Sequence, residues 1–432
     1  MKISFLAALA LALGAAVPAA NAAEIEFWYG NTGRVEEAIQ NACEAFNAAE
    51  DTHSITCVGH GGYEAGMQKA IAAYRTGEHP VLIQFFDAGT LDLMLSGAVL
   101  SVEAIMPEVA WDDYIGGARS YYETSTGELY SQPYNGSTMI FYANMEMLGE
   151  VGVTDIPETY KGVVEVARRL KDNGHACPVL QRVHPWFSLE QFSARHGEAI
   201  ASNNNGYGGL DAEYTFNTGL VAEHLVNIAA WREEGLFRLP ADTPAGRNGF
   251  NAGECAMLET SSAAYGGALA ALGDAVGIGF APIYEGYERR NTLIGGASIW
   301  VMKDHEDASY DAARAFLNFV REHDQQIAFT RHTGYVPVTS AALETLKASD
   351  LAGEPEFATA DIGVASLNMP GDANSRGIRL GFYVQFRDVF IQEVTMALNG
   401  EQEIQAALDN AAARGNELLR RFEQTYQGVE LP

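Results

Sequence analysis

Hydrophobic positions set two rhythms along the chain. Glu24-Ile-Glu-Phe-Trp-Tyr29 alternates polar and apolar residues before turning fully apolar, which predicts a first, buried strand. After a turn at 30–33, Val35, Ala38, Ile39, Ala42, Cys43 and Phe46 recur at helical spacing and predict a helix over 35–48. A strand over 55–58, a helix over 63–75 and a strand over 81–86 follow. This β-α-β-α-β order predicts a mostly parallel sheet with helices on both faces. Ligands of such sheets collect beyond the carboxyl ends of the strands. The loops His60-Gly-Gly-Tyr63 and Phe86-Asp-Ala-Gly-Thr90 fall there.

A different pattern begins at Ser131. The polar, turn-prone segment Ser131-Gln-Pro-Tyr-Asn-Gly-Ser-Thr138 runs straight into Met139-Ile-Phe-Tyr142, an apolar strand. A strand entered from such a bend can pass between two lobes while Ser137 faces the gap, and the bend offers hydroxyls and free N–H groups to a polar ligand. Ile294-Gly-Gly-Ala-Ser-Ile-Trp-Val-Met302 repeats the form. Between them, helices are predicted over 161–173, 188–195, 222–234 and 263–272, with a loop feeding a strand over 250–258 and a strand over 276–282. Helices over 308–322, 324–330, 384–398 and 401–424 complete the chain. Two bend-then-strand units imply that the chain crosses between lobes more than once. The expected division is lobe 1 over 23–136 and 283–337, and lobe 2 over 137–282 and 338–432, with a cleft between.

The first 22 residues stand apart. Lys2, an Ala/Leu run to Ala16 and a small-x-small ending at Ala20 and Ala22 make a secretory signal peptide, cleaved near Ala22. Its apolar core is too short to span a bilayer. About 410 residues remain, enough for two domains. The formal charge is −29, and −30 without Lys2, which argues against nucleic acid and anionic membrane surfaces as partners. A local arginine in a cleft escapes that argument, because ions screen surface charge over roughly 8–10 Å. Four cysteines (Cys43, Cys57, Cys177, Cys255) in an exported chain allow three disulfide connectivities; Cys43 with Cys57 is locally feasible, and Cys177 with Cys255 would then follow. Ten histidines show no metal-binding spacing, so neither metal nor cofactor is expected.

Several motifs then occur in a telling order. They are Ala45-Phe46-Asn47-Ala48, Ile71-Ala-Ala-Tyr-Arg-Thr-Gly77, Ser131-Gln-Pro133 through Thr138, and Ile294-Gly-Gly-Ala-Ser298 with Trp300-Val301. Thr333-Gly-Tyr335 with Pro337, Gly377-Ile-Arg-Leu-Gly381 and Arg414-Gly-Asn-Glu-Leu-Leu-Arg-Arg-Phe422 follow. In this order the chain resembles the extracytoplasmic solute-binding proteins of bacterial ABC importers, in the cluster that includes maltose-binding protein. It is most similar there to the sn-glycerol-3-phosphate binders. The resemblance implies an α/β, two-lobed periplasmic-binding-protein fold of type II with the ligand between the lobes. It places Tyr63, Asp87, Ser137, Ser262, Gly296, Tyr335 and Arg387 at the ligand, with Arg387 meeting the phosphate. By composition alone these residues read as surface charges, packing tyrosines, a helix cap and a turn glycine.

Physical chemistry is compatible with the implied roles. A phosphate taken out of water needs compensating charge and several donors, and an arginine fork supplies two parallel bonds. A carboxylate repels phosphate, so Asp87 is expected at the far end, on the glycerol hydroxyls. Asp87 stands where the family carries glutamate, Tyr160 stands for the usual tryptophan, and Trp186 is one aromatic of a richer region. These departures leave glycerol-3-phosphate and a glycerophosphodiester both open. The expected protein is a monomeric periplasmic receptor without catalysis that delivers its ligand to an ABC permease. A sugar or polyol binder is the alternative within the class. A secreted hydrolase is the rival from outside it, against which stands the absence of a Gly-x-Ser-x-Gly elbow and of metal-ligand spacing.

Overall fold

The computed structural model describes residues 22–429 and 431, so the expected leader lies almost wholly outside the described residues. Eleven strands are present among them. The first five are β1 (Glu24–Tyr29), β2 (Ser54–Gly59), β3 (Leu82–Phe86), β4 (Val99–Leu100) and β5 (Gln132–Ser137). The next five are β6 (Met139–Asn144), β7 (Cys177–Leu180), β8 (Phe237–Arg238), β9 (Cys255–Ser261) and β10 (Val276–Phe280), and the last is β11 (Gly295–Met302). One sheet has the order β2-β1-β3-β11-β4, with β5 also on β11; the other runs β10-β6-β9-β7-β8.

The sheets are mixed, where a mostly parallel one was expected. β1 pairs parallel with β2 and β3, but β11 runs antiparallel to β3, β4 and β5. In the second sheet β7 is parallel to β8 and β9, while β6 is antiparallel to β9 and β10. The reason is topological. The βαβ units supply the parallel pairs, and the chain segments that change sheet enter from the other side.

Those crossings are straighter than the expected bends. Gln132–Ser137 is itself a strand, paired to β11 with a bulge between Ala297 and Ser298. Only Thr138 separates it from β6, which belongs to the other sheet. Gly295 and Gly296 likewise lie inside β11. Gly296 has φ 98°, and a Cβ there would stand 2.0 Å from the Asn135 carbonyl oxygen, so β5 and β11 approach this closely only with glycine.

Helices cover both sheets through apolar faces. Arg34–Ala49 buries Ala38, Ile39, Cys43 and Phe46, and Phe46 meets Phe316 of helix Asp307–Arg321 edge-on at 5.4 Å. Tyr160–Asp172 buries Val163, Val164, Ala167 and Leu170 against Phe141 and Met257 of the second sheet. Tyr383–Leu398 packs along Ile404–Thr425, and its Phe386 stacks on Tyr214 at 4.0 Å. Cys43 is bonded to Cys57 and Cys177 to Cys255, joining a helix to β2 and the neighbouring strands β7 and β9. Among the described residues no helix is long and apolar enough to cross a membrane.

One buried acid gives the fold a pH signature. Burial pushes the Asp92 carboxyl from 3.8 up to about 7, and its Oδ2 has no hydrogen-bond partner. The folded chain therefore keeps a proton that the unfolded chain releases above 3.8. Stability conferred by that proton is full at low pH and is lost as pH rises toward about 7. Asp92→Asn, which does not titrate, should gain on the parent protein in urea unfolding as pH rises from about 4 to about 7; a difference that stays flat with pH would refute the assignment.

Candidate ligand-binding cleft

A cavity of about 290 Å3 opens between the ends of the two sheets. Six of the seven expected residues line it: Tyr63, Asp87, Ser137, Gly296, Tyr335 and Arg387. Each arrives on an element whose construction explains its place. Tyr63 opens helix Tyr63–Thr76 beyond β2, and Asp87 follows the last residue of β3, both at carboxyl ends of strands. Ser137 ends β5 opposite Gly295 of β11, and Gly296, the next residue of β11, pairs with Gly136. Tyr335 stands beside the bridge that ties Val336 to Gly136.

The tyrosines are fixed by their neighbours. The Tyr63 ring stacks on Phe86 at 5.2 Å, and its hydroxyl accepts from Asn31 Nδ2 at 3.0 Å and Asn135 Nδ2 at 2.9 Å. Burial pushes the Tyr63 and Tyr335 phenols up, so both stay neutral donors. Ser137 spends its hydroxyl on no partner among the described residues and remains free for a ligand.

Arg387 lines the cavity and is at the same time engaged within the protein. Its Nε donates to Glu190 Oε1 at 2.8 Å and its Nη2 to Glu190 Oε2 at 2.6 Å, a bidentate pair. Nη1 and Nη2 also reach Asp87 Oδ1 and Oδ2 at 3.4 and 3.3 Å. Asp87 was expected at the opposite end of the ligand from Arg387; the structure puts the two in contact. The physical reason is burial: the side chains of Arg387, Asp87 and Glu190 are 7%, 4% and 0% exposed, and charges so far from water persist only in company. Burial works against the Arg387 charge, but Asp87 and Glu190 outweigh it and hold the guanidinium well above its usual range. Glu190 escaped the sequence reading. The helix expected from 188 begins as a π-helical stretch, Trp186–Gln191, which carries Glu190 to a fully buried position.

Ser262 does not line the cleft. It is fully buried, its Oγ accepting from the Thr138 N–H at 3.3 Å and its own N–H donating to the Thr138 carbonyl at 2.8 Å. Side chains alternate at a strand end, so its neighbour Ser261, the last residue of β9, faces the cavity instead. The same wall carries Arg182, His184, Trp186, Phe187 and Arg247; of these the sequence connected only Trp186 with the choice of ligand, and it named none as a site residue. Arg182 lies two residues beyond β7, so the carboxyl-end rule applied to the second sheet finds it. Trp186 rests on Gly295, where a Cβ would stand 2.3 Å from the ring. His184 is driven down to about 3 by burial first, then by Arg387, Arg182 and Arg247. It is neutral, and its Nδ1 accepts from the Trp186 N–H at 3.1 Å, which leaves the proton on Nε2.

Comparison with known proteins follows this geometry. The model of the bacterial extracellular solute-binding protein family matches residues 41–359. The sn-glycerol-3-phosphate-binding periplasmic protein UgpB of Rhizobium meliloti (strain 1021) is 34% identical, covering 94% of this chain and 96% of that protein. The protein of that name from Escherichia coli O1:K1 / APEC is 32% identical over 97% of each. Among solved structures, UgpB from Mycobacterium tuberculosis in complex with glycerophosphocholine superposes with a TM-score of 0.77 at 19% identity, covering 92% of this chain and 99% of that one. The sugar-binding protein MalE from Xanthomonas citri gives 0.76 at 14% identity, covering 94% and 100%. At those identities the structural likeness speaks for the two-lobed α/β fold.

Removing the guanidinium should cost the fold as well as the cleft. Arg387→Ala strands two buried carboxylates and is expected to lower stability by about 3–5 kcal/mol. Arg387→Met combined with Glu190→Gln and Asp87→Asn should recover most of that loss in thermal unfolding. A triple variant no more stable than Arg387→Ala would show that the ion triad is not what Arg387 supplies.

Proposed function

The chain belongs to the bacterial extracellular solute-binding protein family, and from that premise we propose that it is the periplasmic receptor of an ABC importer for sn-glycerol-3-phosphate or a glycerophosphodiester. The observation that carries the reading is the charge of the cleft. A chain with 56 acidic and 27 basic residues turns three arginines, Arg182, Arg247 and Arg387, toward one cavity. Hydroxyls surround them: Ser137, Ser261, Tyr63 and Tyr335. Cationic groups with many donors suit an anionic ligand that also bears hydroxyls, and the named relatives are binders of such a compound.

In this reading the carbon chain of the ligand lies against Tyr63, Tyr335 and Trp186. Its hydroxyls meet the carboxylate edge of Asp87 and the hydroxyl of Ser137. The receptor is a monomer that performs no chemistry. Ligand touching both walls favours the shut form over the open one by its differential affinity, and that form is presented to the permease. The lobes are 23–136 with 283–337 and 137–282 with 338–432; support for this division comes from the membership of β5 and β6 in different sheets. Export through a leader ending near Ala22 completes the reading.

A sugar receptor of the same class is the second reading, favoured by the fold likeness to MalE. Calorimetry of the mature protein against sn-glycerol-3-phosphate, glycerophosphocholine and maltose separates them. Binding of a phosphorylated glycerol with no heat from maltose is expected. Maltose as the tight ligand overturns the assignment, and release of phosphate or choline at catalytic amounts of protein would make it a hydrolase.

A further inference from the structure

The three arginines of the cleft are not equivalent. Arg387 is engaged by two carboxylates, Asp87 and Glu190, and most of its N–H bonds are spent on them. Arg182 and Arg247 form no ion pair with any described residue. Arg182 gives a single side-chain hydrogen bond, from Nη1 to Thr260 Oγ1 at 3.1 Å. Its guanidinium lies over the Phe187 ring, 4.5 Å from the centroid, which holds the planar fork in one orientation with its remaining donors unspent. Arg247 stands exposed at the mouth; burial first, and then the charge of Arg247, lower the proton affinity of Arg182 to about 10.

Two like charges set together without a counter-ion repel, and Arg182 is partly desolvated as well. A dianion between them relieves both costs at once. Neutral donors stand on the same wall. His184 presents Nε2–H, and Ser261 accepts from the Ala263 N–H at 3.2 Å, which keeps its own O–H for a ligand. The carboxylates of the cleft lie elsewhere: Asp87 and Glu190 are locked on Arg387, and Glu64 is exposed on the opposite rim.

We propose that Arg182 and Arg247 are the anion seat of this cleft, taking the phosphate of the ligand on the wall of the second sheet, while the Arg387 triad faces the hydroxyl-bearing end. The inference rests on the phosphorylated-glycerol reading and reverses the polarity that Arg387 alone would give. It also sets a preference. The Phe187 face, which would otherwise suit a quaternary ammonium, is already covered by a guanidinium, so a ligand ending in choline places its cation among like charges. Glycerol-3-phosphate is therefore favoured over glycerophosphocholine.

The test is calorimetry on the full mature chain with sn-glycerol-3-phosphate, glycerophosphocholine and maltose, for the parent protein and for Arg182→Gln, Arg247→Gln, Arg247→Glu and Arg182→Lys. Loss of a charge-assisted bond predicts that Arg182→Gln weakens glycerol-3-phosphate by roughly 10- to 100-fold. Arg247→Gln does so by less, Arg247→Glu by more than Arg247→Gln, and Arg182→Lys recovers part of the loss. Arg247 is exposed, so its variants fold whatever befalls the half-buried Arg182. Glycerol-3-phosphate bound as tightly by Arg182→Gln and Arg247→Glu as by the parent overturns the anion seat and leaves the functional reading standing. A parent protein that takes maltose and no phosphorylated glycerol overturns both.

Discussion

Burying a guanidinium is among the more expensive things a fold does, and this one accomplishes it by bringing three distant parts of the chain to one point. Asp87 comes from the end of β3, Glu190 from the π-helical stretch after β7, and Arg387 from helix Tyr383–Leu398. No two are within 100 residues of each other in sequence. The pairing ties a turn of the first sheet to a helix of the second region and occupies most of the Arg387 donors. The other two arginines at the cavity, Arg182 and Arg247, have no carboxylate partner among the described residues. Retaining such a triad costs desolvation that apolar packing would avoid, which points to specificity of arrangement rather than stability as its use here.

Much of the architecture is legible in the sequence because it depends on periodicity. Val35 through Phe46 at helical spacing and the apolar run of β3 require no knowledge of partners. Sheet polarity is less accessible: β11 reads as a strong strand, but nothing local in Gly295–Met302 says that it runs against β3 rather than along it. The site divides in the same way. Tyr63 and Asp87 follow strand ends, and Ser137 and Gly296 lie on the crossings, so local pattern and resemblance bring them to the cleft. The placement of Ser262 depends on which member of a Ser-Ser pair faces inward, a question of strand phase that Thr138 decides by bonding one of them. Glu190 and the contact between Arg387 and Asp87 are tertiary facts, invisible to any window of sequence.

An acidic exterior around a cationic cavity is consistent physics. Charges on the outer surface are screened within roughly 8–10 Å by solvent ions, whereas groups in a half-closed cleft feel one another through less water. His184 registers that difference: buried, and then hemmed in by three arginines, it stays neutral far below its ordinary titration range. It consequently serves as a fixed hydrogen-bond donor and not as a pH sensor.

Thr138, the lone residue between β5 and β6, has a mechanical meaning. Its N–H and carbonyl are held by Ser262, and its Oγ1 bonds Thr292 at 2.6 Å and the Leu293 carbonyl at 2.9 Å, on the return crossing. The two strips of backbone that join the halves are thus clasped side by side, like the knuckles of a door hinge around one pin. Swinging about that line is the motion such a clasp leaves open, and sliding or twisting across it would tear the knuckles apart.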